Sequence, residues 1–107
     1  MIKTLILSIL LFTSSFFQKD PCEVFGSICI VKSQYYADLV VYIENEDNIA
    51  DLSVFIEDSK LMADQEGVWY ITEAENFADY RIFITKDRRM ADFTIQYIDE
   101  RAFAGCQ

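Results

Sequence analysis

One dipeptide recurs through this chain at almost fixed spacing, and that recurrence restricts the fold more than any other feature. Ala-Asp stands at Ala37-Asp38, Ala50-Asp51, Ala63-Asp64, Ala78-Asp79 and Ala91-Asp92, at intervals of 13, 13, 15 and 13 residues. A further 13 residues on comes Ala104-Gly105, with glycine in the aspartate position. Each pair follows a large apolar residue: Tyr36, Ile49, Met62, Phe77, Met90 or Phe103. Self-similarity at a fixed period marks an architecture built by repeating one small supersecondary unit.

Counting from each aspartate as position zero, the first residue is Leu39, Leu52, Tyr80 or Phe93. The third is Val41, Val54, Ile82 or Ile95, and the fifth is Ile43, Ile56, Ile84 or Tyr97. Alternation of β-branched and aromatic residues with period two predicts short strands. The fourth position holds Tyr42, Phe55, Phe83 or Gln96, so both strand faces carry bulk and the layers must wrap closely. The unit from Asp64 to Ile71 carries a two-residue insertion, and its Gly67 is expected to mark a bulge. An earlier copy, Phe25 to Val31, lacks the aspartate. Polar turns lie at Glu44 to Asn48, Glu57 to Lys60, Thr72 to Asn76, Lys86 to Arg89 and Asp99 to Arg101. No stretch has sustained helical spacing with caps. The expectation is one small all-β domain of about six strands, two-layered or barrel-like, over residues 22–107.

Residues 1–17 read as a leader rather than as fold. Lys3 supplies a positive start, Leu5 to Phe12 an apolar run, and Thr13-Ser14-Ser15 a small polar end. This is the pattern of a secretory signal peptide, removed near Ser15 to Gln18, and it predicts a secreted or periplasmic protein. The apolar run is about half the ~20 residues a spanning helix needs, so no membrane association is expected after removal. Lys19-Asp20-Pro21 ahead of Cys22 lacks the small apolar residues of a lipoprotein signal.

Export gives the three cysteines meaning, since disulfides persist in oxidising compartments. Cys29 lies inside the strand-like run Ile28 to Val31, where a cysteine is usually a small buried hydrophobe. Cys22 and Cys106 flank the domain, so a Cys22–Cys106 bridge is expected, worth ~4–5 kcal/mol in the chain-entropy treatment.

The string of Ala-Asp units, opened by Cys22-Glu23-Val24-Phe25-Gly26 and closed by Phe103-Ala104-Gly105-Cys106, resembles the 7(1) septoil knot domain family. The resemblance covers nearly all of the chain beyond its leader. It implies a small all-β domain whose similar strands wind round one another until the chain forms a deep torus knot. That runs against the general rule that chains avoid knots; periodicity alone would also permit a solenoid or an ordinary small barrel. The resemblance implies no established activity and no catalytic residue.

Composition removes several kinds of chemistry. There are 18 acidic and 9 basic residues and no histidine, for a net charge of −9. Without Lys3 the mature chain sets 8 bases against the same 18 acids, a net charge of −10. Such a surface repels phosphate backbones, so no nucleic-acid partner is expected. The commonest general base and metal ligand is missing. Ser27, Ser33, Ser53 and Ser59 have no histidine base and no nucleophile elbow. Glu73 with Glu75, and Asp99 with Glu100, are read as solvated turn acids.

The five repeat aspartates, Asp38, Asp51, Asp64, Asp79 and Asp92, could in principle ligate calcium through oxygen. A calcium loop gathers several acids in one turn, whereas here each unit offers one. They are therefore read as structural, accepting hydrogen bonds from neighbouring backbone N–H groups to shape each turn into its strand. Glu44 to Asn48 is the best single acidic loop, and Arg81, Lys86, Arg88 and Arg89 form the one basic concentration. Trp69, Tyr70, Tyr80 and Phe83 are read as core rather than as a ligand platform. The expectation is a monomeric, non-catalytic structural or interaction domain without a cofactor, its partner an unidentified protein or envelope component. The alternatives are a calcium- or small-ligand-binding module and a small secreted inhibitor or effector.

Overall fold

The structure, a computed structural model, describes residues 20–45 and 49–106. The expected leader at residues 1–17 and residues 46–48 of the acidic turn lie outside the described residues. Among the described residues seven strands follow one another: β1 Gly26–Val31, β2 Leu39–Ile43, β3 Leu52–Ile56, β4 Val68–Ile71, β5 Tyr80–Thr85, β6 Phe93–Tyr97 and β7 Gly105–Cys106. Among the described residues every helical segment is a three-residue 3₁₀ turn: Pro21–Glu23, Gln34–Tyr36, Lys60–Met62, Glu75–Phe77, Arg88–Met90 and Arg101–Phe103. Three of these open on a side-chain cap, in which Asp20, Ser33 and Asp87 accept from the N–H groups of Cys22, Tyr35 and Arg89. That local bond competes with continued extension and turns the chain sharply.

Strand order explains how such similar units make one core. The order is β4-β1-β5-β2-β6-β3-β7, and a direct β3–β4 pairing closes six strands into a barrel. All pairings among β1 to β6 are parallel; only β7, two residues long, runs antiparallel against β3. On a ring of seven places, each strand sits two places on from its predecessor in the chain. A connection between strands that do not pair directly must then cross the strand that separates them. Gln34–Tyr36, joining β1 to β2, packs on β5, and Arg88–Met90, joining β5 to β6, packs on β2. At the second crossing the Arg88 guanidinium lies 5.3 Å from the centre of the Tyr42 ring and ion-pairs with Glu44. A path that steps by two around seven places winds nearly twice round the axis, which is the winding of a 7(1) torus knot.

Register sets the shape of the barrel. The partners Gly26↔Trp69, Phe93↔Val41 and Leu52↔Ile95 show each strand displaced by two residues against the next. Two residues along a strand, ~6.6 Å, against a spacing of ~4.8 Å tilts the strands roughly 54° from the axis. This exceeds the usual ~35–45° and widens the interior. The interior is filled by the first and third positions of the units. Ile28, Leu39, Val41, Leu52, Val54, Trp69, Ile82, Phe93 and Ile95 form one core with Val24.

Trp69 is the largest of these and is fully buried. Its register partner is Gly26, and Gly67 stands two residues before it, so room is left where other units carry bulk. The indole N–H donates to the Val24 carbonyl at 2.9 Å, which satisfies a donor that burial would otherwise leave unpaired. Tyr70, Tyr80 and Phe83, expected in the core beside it, are half-buried. Gly67 does not form a bulge: it ends a turn, Val68 N–H to Gln65 carbonyl, immediately before β4.

Candidate functional site

The repeat aspartates do one job at four places. Asp38 donates its N–H to the Arg81 carbonyl at 2.7 Å and accepts the Arg81 N–H on Oδ2 at 2.8 Å. Asp79 clamps Ser27 in the same way, its N–H to the Ser27 carbonyl at 2.8 Å and the Ser27 N–H to Oδ2 at 2.8 Å. Asp92 clamps Val40, with both contacts at 2.7 Å. Asp51 accepts the Thr94 N–H at 2.9 Å, and its own N–H goes to the Thr94 hydroxyl at 3.0 Å.

These partners lie 43 or 52 residues away. The carboxylate therefore serves the adjoining strand rather than its own turn, which corrects the local reading. The reason is the two-residue stagger. The second residue of each neighbour would have no backbone carbonyl opposite its N–H, because the strand that should supply it has not yet begun. An ionised side chain fills that place with a charge-assisted bond. Gly26, with φ 105°, belongs to the same device: a Cβ there would run into the Asp79 carboxylate.

Asp64 is the exception. It makes no such clamp among the described residues and instead meets the Arg101 guanidinium at 3.1 Å. Pairing of Gly26 with Trp69 places the zero position of this unit at Glu66. Glu66 Oε1 accepts the Cys106 N–H at 2.8 Å, so its longer side chain does the work of the repeat aspartate after the insertion. The signal was present in the interval: Glu66 to Asp79 restores a spacing of 13.

Salt bridges occupy much of the remaining charge. Arg81 pairs with Asp38 and Glu75, Arg88 with Glu44, Arg89 with Asp87, and Arg101 with Glu57 and Asp64. Three members of the basic group thus balance local acids. Hydrogen bonding from the Arg81 side chain holds the Asp38 carboxyl below its usual range, and Arg89 does the same for Asp87. Burial pushes the Tyr97 phenol up. A depressed carboxyl contributes stability above its unfolded pKa of about 3.9, and that contribution is lost as pH falls through the lower folded value. Acidification from pH ~5 to ~2 is accordingly expected to lower the thermal midpoint, and less steeply in Asp38→Asn than in wild type. Equal acid slopes would contradict the role of that pair.

The cysteines divide as the sequence suggested. Cys22 and Cys106 are bonded, with Cα atoms 5.4 Å apart across a separation of 84 residues; Cys29 is free and buried. Among the described residues the one group with metal-ligand spacing is Asp20, Cys22 and Cys106. Both sulfurs there are spent in the disulfide, and Asp20 already caps Cys22. The repeat aspartates are spread round the barrel and do not gather into such a group. Glu73 and Glu75 are exposed, while Asp99 and Glu100 border an open groove with Gln96 and Phe103.

What the surface does offer is apolar. The large residue before each Ala-Asp is exposed in all six copies, from 48% at Met62 to 84% at Ile49, with Tyr36, Phe77, Met90 and Phe103 between. Tyr35 and Leu61 extend this set. A second ring comes from the fifth position, Ile30, Ile43, Ile56, Ile71 and Tyr97, which shares the inward parity of the core but lies 37–46% exposed where the strands end. Alternation places these side chains at the mouth of the barrel. Identical units in a parallel barrel repeat each position at one level, so scattered apolar letters become two collars.

A closed, all-parallel barrel with two-place winding, staggered strands and carboxylate clamps defines a torus-knotted β domain. The model of the 7(1) septoil knot domain family matches residues 21–107, and the chain belongs to that family. No curated protein matches the chain.

Proposed function

We propose that this domain is an exported, non-catalytic interaction module that holds apolar side chains in a fixed array. The observation that carries the reading is the exposure of the same large residue in every unit. A repeat retains its core positions for packing; an apolar residue left about half exposed or more is maintained at a cost in solubility, and exposed apolar surface of this kind marks contact with other molecules. The disulfide supports a location outside the reducing cytoplasm. No helix among the described residues is long and apolar enough to cross a membrane. The acidic balance favours a partner that is not itself polyanionic.

The test uses a photo-crosslinking residue at Phe77, with a second at exposed Lys86 as control, in the producing cell's envelope. One recurrent partner is expected from position 77 and not from 86. Combined Tyr36→Ser, Met90→Ser and Phe103→Ser substitution should abolish that capture and leave the thermal midpoint within a few degrees, because exposed positions contribute little to folding. Unchanged capture by the triple variant would overturn the reading. So would a large drop in stability, since it would show these residues to be structural.

A further inference from the structure

Six connections of the chain step two places round the seven-place ring, and one step remains, from β7 back to β1. The disulfide makes it. Pro21–Glu23 lies against β7, and the Val24 carbonyl takes the indole N–H of Trp69 in β4. β4 is the strand between β7 and β1 in ring order, so the segment leading into β1 crosses it as the other connections cross theirs. Cys22–Cys106 then joins the two ends of this seventh crossing.

We propose that the disulfide closes residues 22–106 into a covalent ring that is itself a 7(1) knot, so that the topology is locked for as long as the bond stays oxidised. An open knotted chain can lose its knot when an end slips back through the loops. A closed ring has no end. The oxidised chain therefore keeps its knot even when fully unfolded, and refolds without threading. The converse is equally strict: a chain oxidised between Cys22 and Cys106 before threading is an unknotted ring of identical formula that cannot reach the barrel. The order of threading and oxidation decides which isomer forms.

The closing step is ordinary thiol–disulfide exchange. The Cys22 and Cys106 thiols lose two protons and two electrons in forming the S–S bond, and a small-molecule or protein disulfide is reduced to two thiols. Two reducing thiols reverse it and reopen the ring. Cys29 is buried in the folded barrel and so competes for pairing only while the chain is unfolded.

Two preparations of the Cys29→Ala chain test this. One is folded, oxidised and then transferred to concentrated denaturant. The other is made by chemical synthesis and oxidised in denaturant before it has ever folded. Both have the same mass and the same 22–106 bond. The first is expected to elute as the more compact species in denaturant and to recover buried Trp69 fluorescence on dilution. The second should remain unfolded on dilution until thiol reductant is added. Co-elution with equal refolding would overturn the proposal. Should Cys29→Ala itself fail to fold, the wild-type chain gives the same comparison once its 22–106 isomer is separated by peptide mapping.

Discussion

Substitution of Gly67 by alanine is expected to destabilise the domain by about 3 kcal/mol or more. Gly67 has φ 77°, a conformation that already disfavours a side chain. A Cβ there would meet three backbone atoms, the N and Cα of Gly105 and the carbonyl oxygen of Ser53. Backbone cannot rotate away as a side chain can, so β3, β4 and β7 would have to separate where they converge. The loss is large against the ~5–15 kcal/mol that holds a typical domain together. Urea denaturation of the oxidised protein measures it; a change below ~1 kcal/mol would mean the three strands are not packed this closely. Gly105 offers an internal comparison. Its added Cβ would meet only the Glu66 side chain, so Gly105→Ala should cost less, although its φ of 120° still carries strain.

Trp69 carries the second large effect. Truncation to alanine should cost ~3–5 kcal/mol, the usual range for emptying a buried aromatic site. Trp69→Phe separates packing from hydrogen bonding. It keeps much of the ring but leaves the Val24 carbonyl without its 2.9 Å donor, and should cost about 1–3 kcal/mol. Circular dichroism is the suitable probe, because the chain has no other tryptophan. Near-equal losses in the two variants would show that the hydrogen bond to Val24, rather than volume, dominates the site. The Gly26–Trp69 pairing argues the opposite, since glycine stands where the indole needs room.

Much of the local structure was legible in the chain. Strands begin one residue after Asp38, Asp51, Asp79 and Asp92, at Leu39, Leu52, Tyr80 and Phe93, and the first and third positions supply most of the core. The Cys22–Cys106 pairing followed from which cysteines flank the domain. Three things did not follow from the Ala-Asp letters. The zero position of the inserted unit falls on Glu66, because register follows hydrogen bonding rather than the Ala-Asp letters. The carboxylates serve strands 43 or 52 residues away, and near-identical units cannot declare which of their number they will pair with. Exposure of Tyr36, Ile49, Met62, Phe77, Met90 and Phe103 was equally hidden. A large apolar residue in a repeat looks like core until the crossing geometry puts it outside. The family resemblance named the knot; the stagger and the two-place step supply its physical mechanism.

That mechanism rests on which backbone groups face each other across the windings. Through-hydrogen-bond NMR couplings report this directly, by linking an amide nitrogen to the carbon of the group that accepts from it. Strong correlations are predicted from Arg81 N to the Asp38 carboxylate carbon and from Asp38 N to the Arg81 carbonyl carbon. The same pattern is predicted between Asp79 and Ser27 and between Asp92 and Val40. Correlation of these amides with acceptors in their own or the next unit along the chain would mean a sequential solenoid, and would contradict the knotted winding.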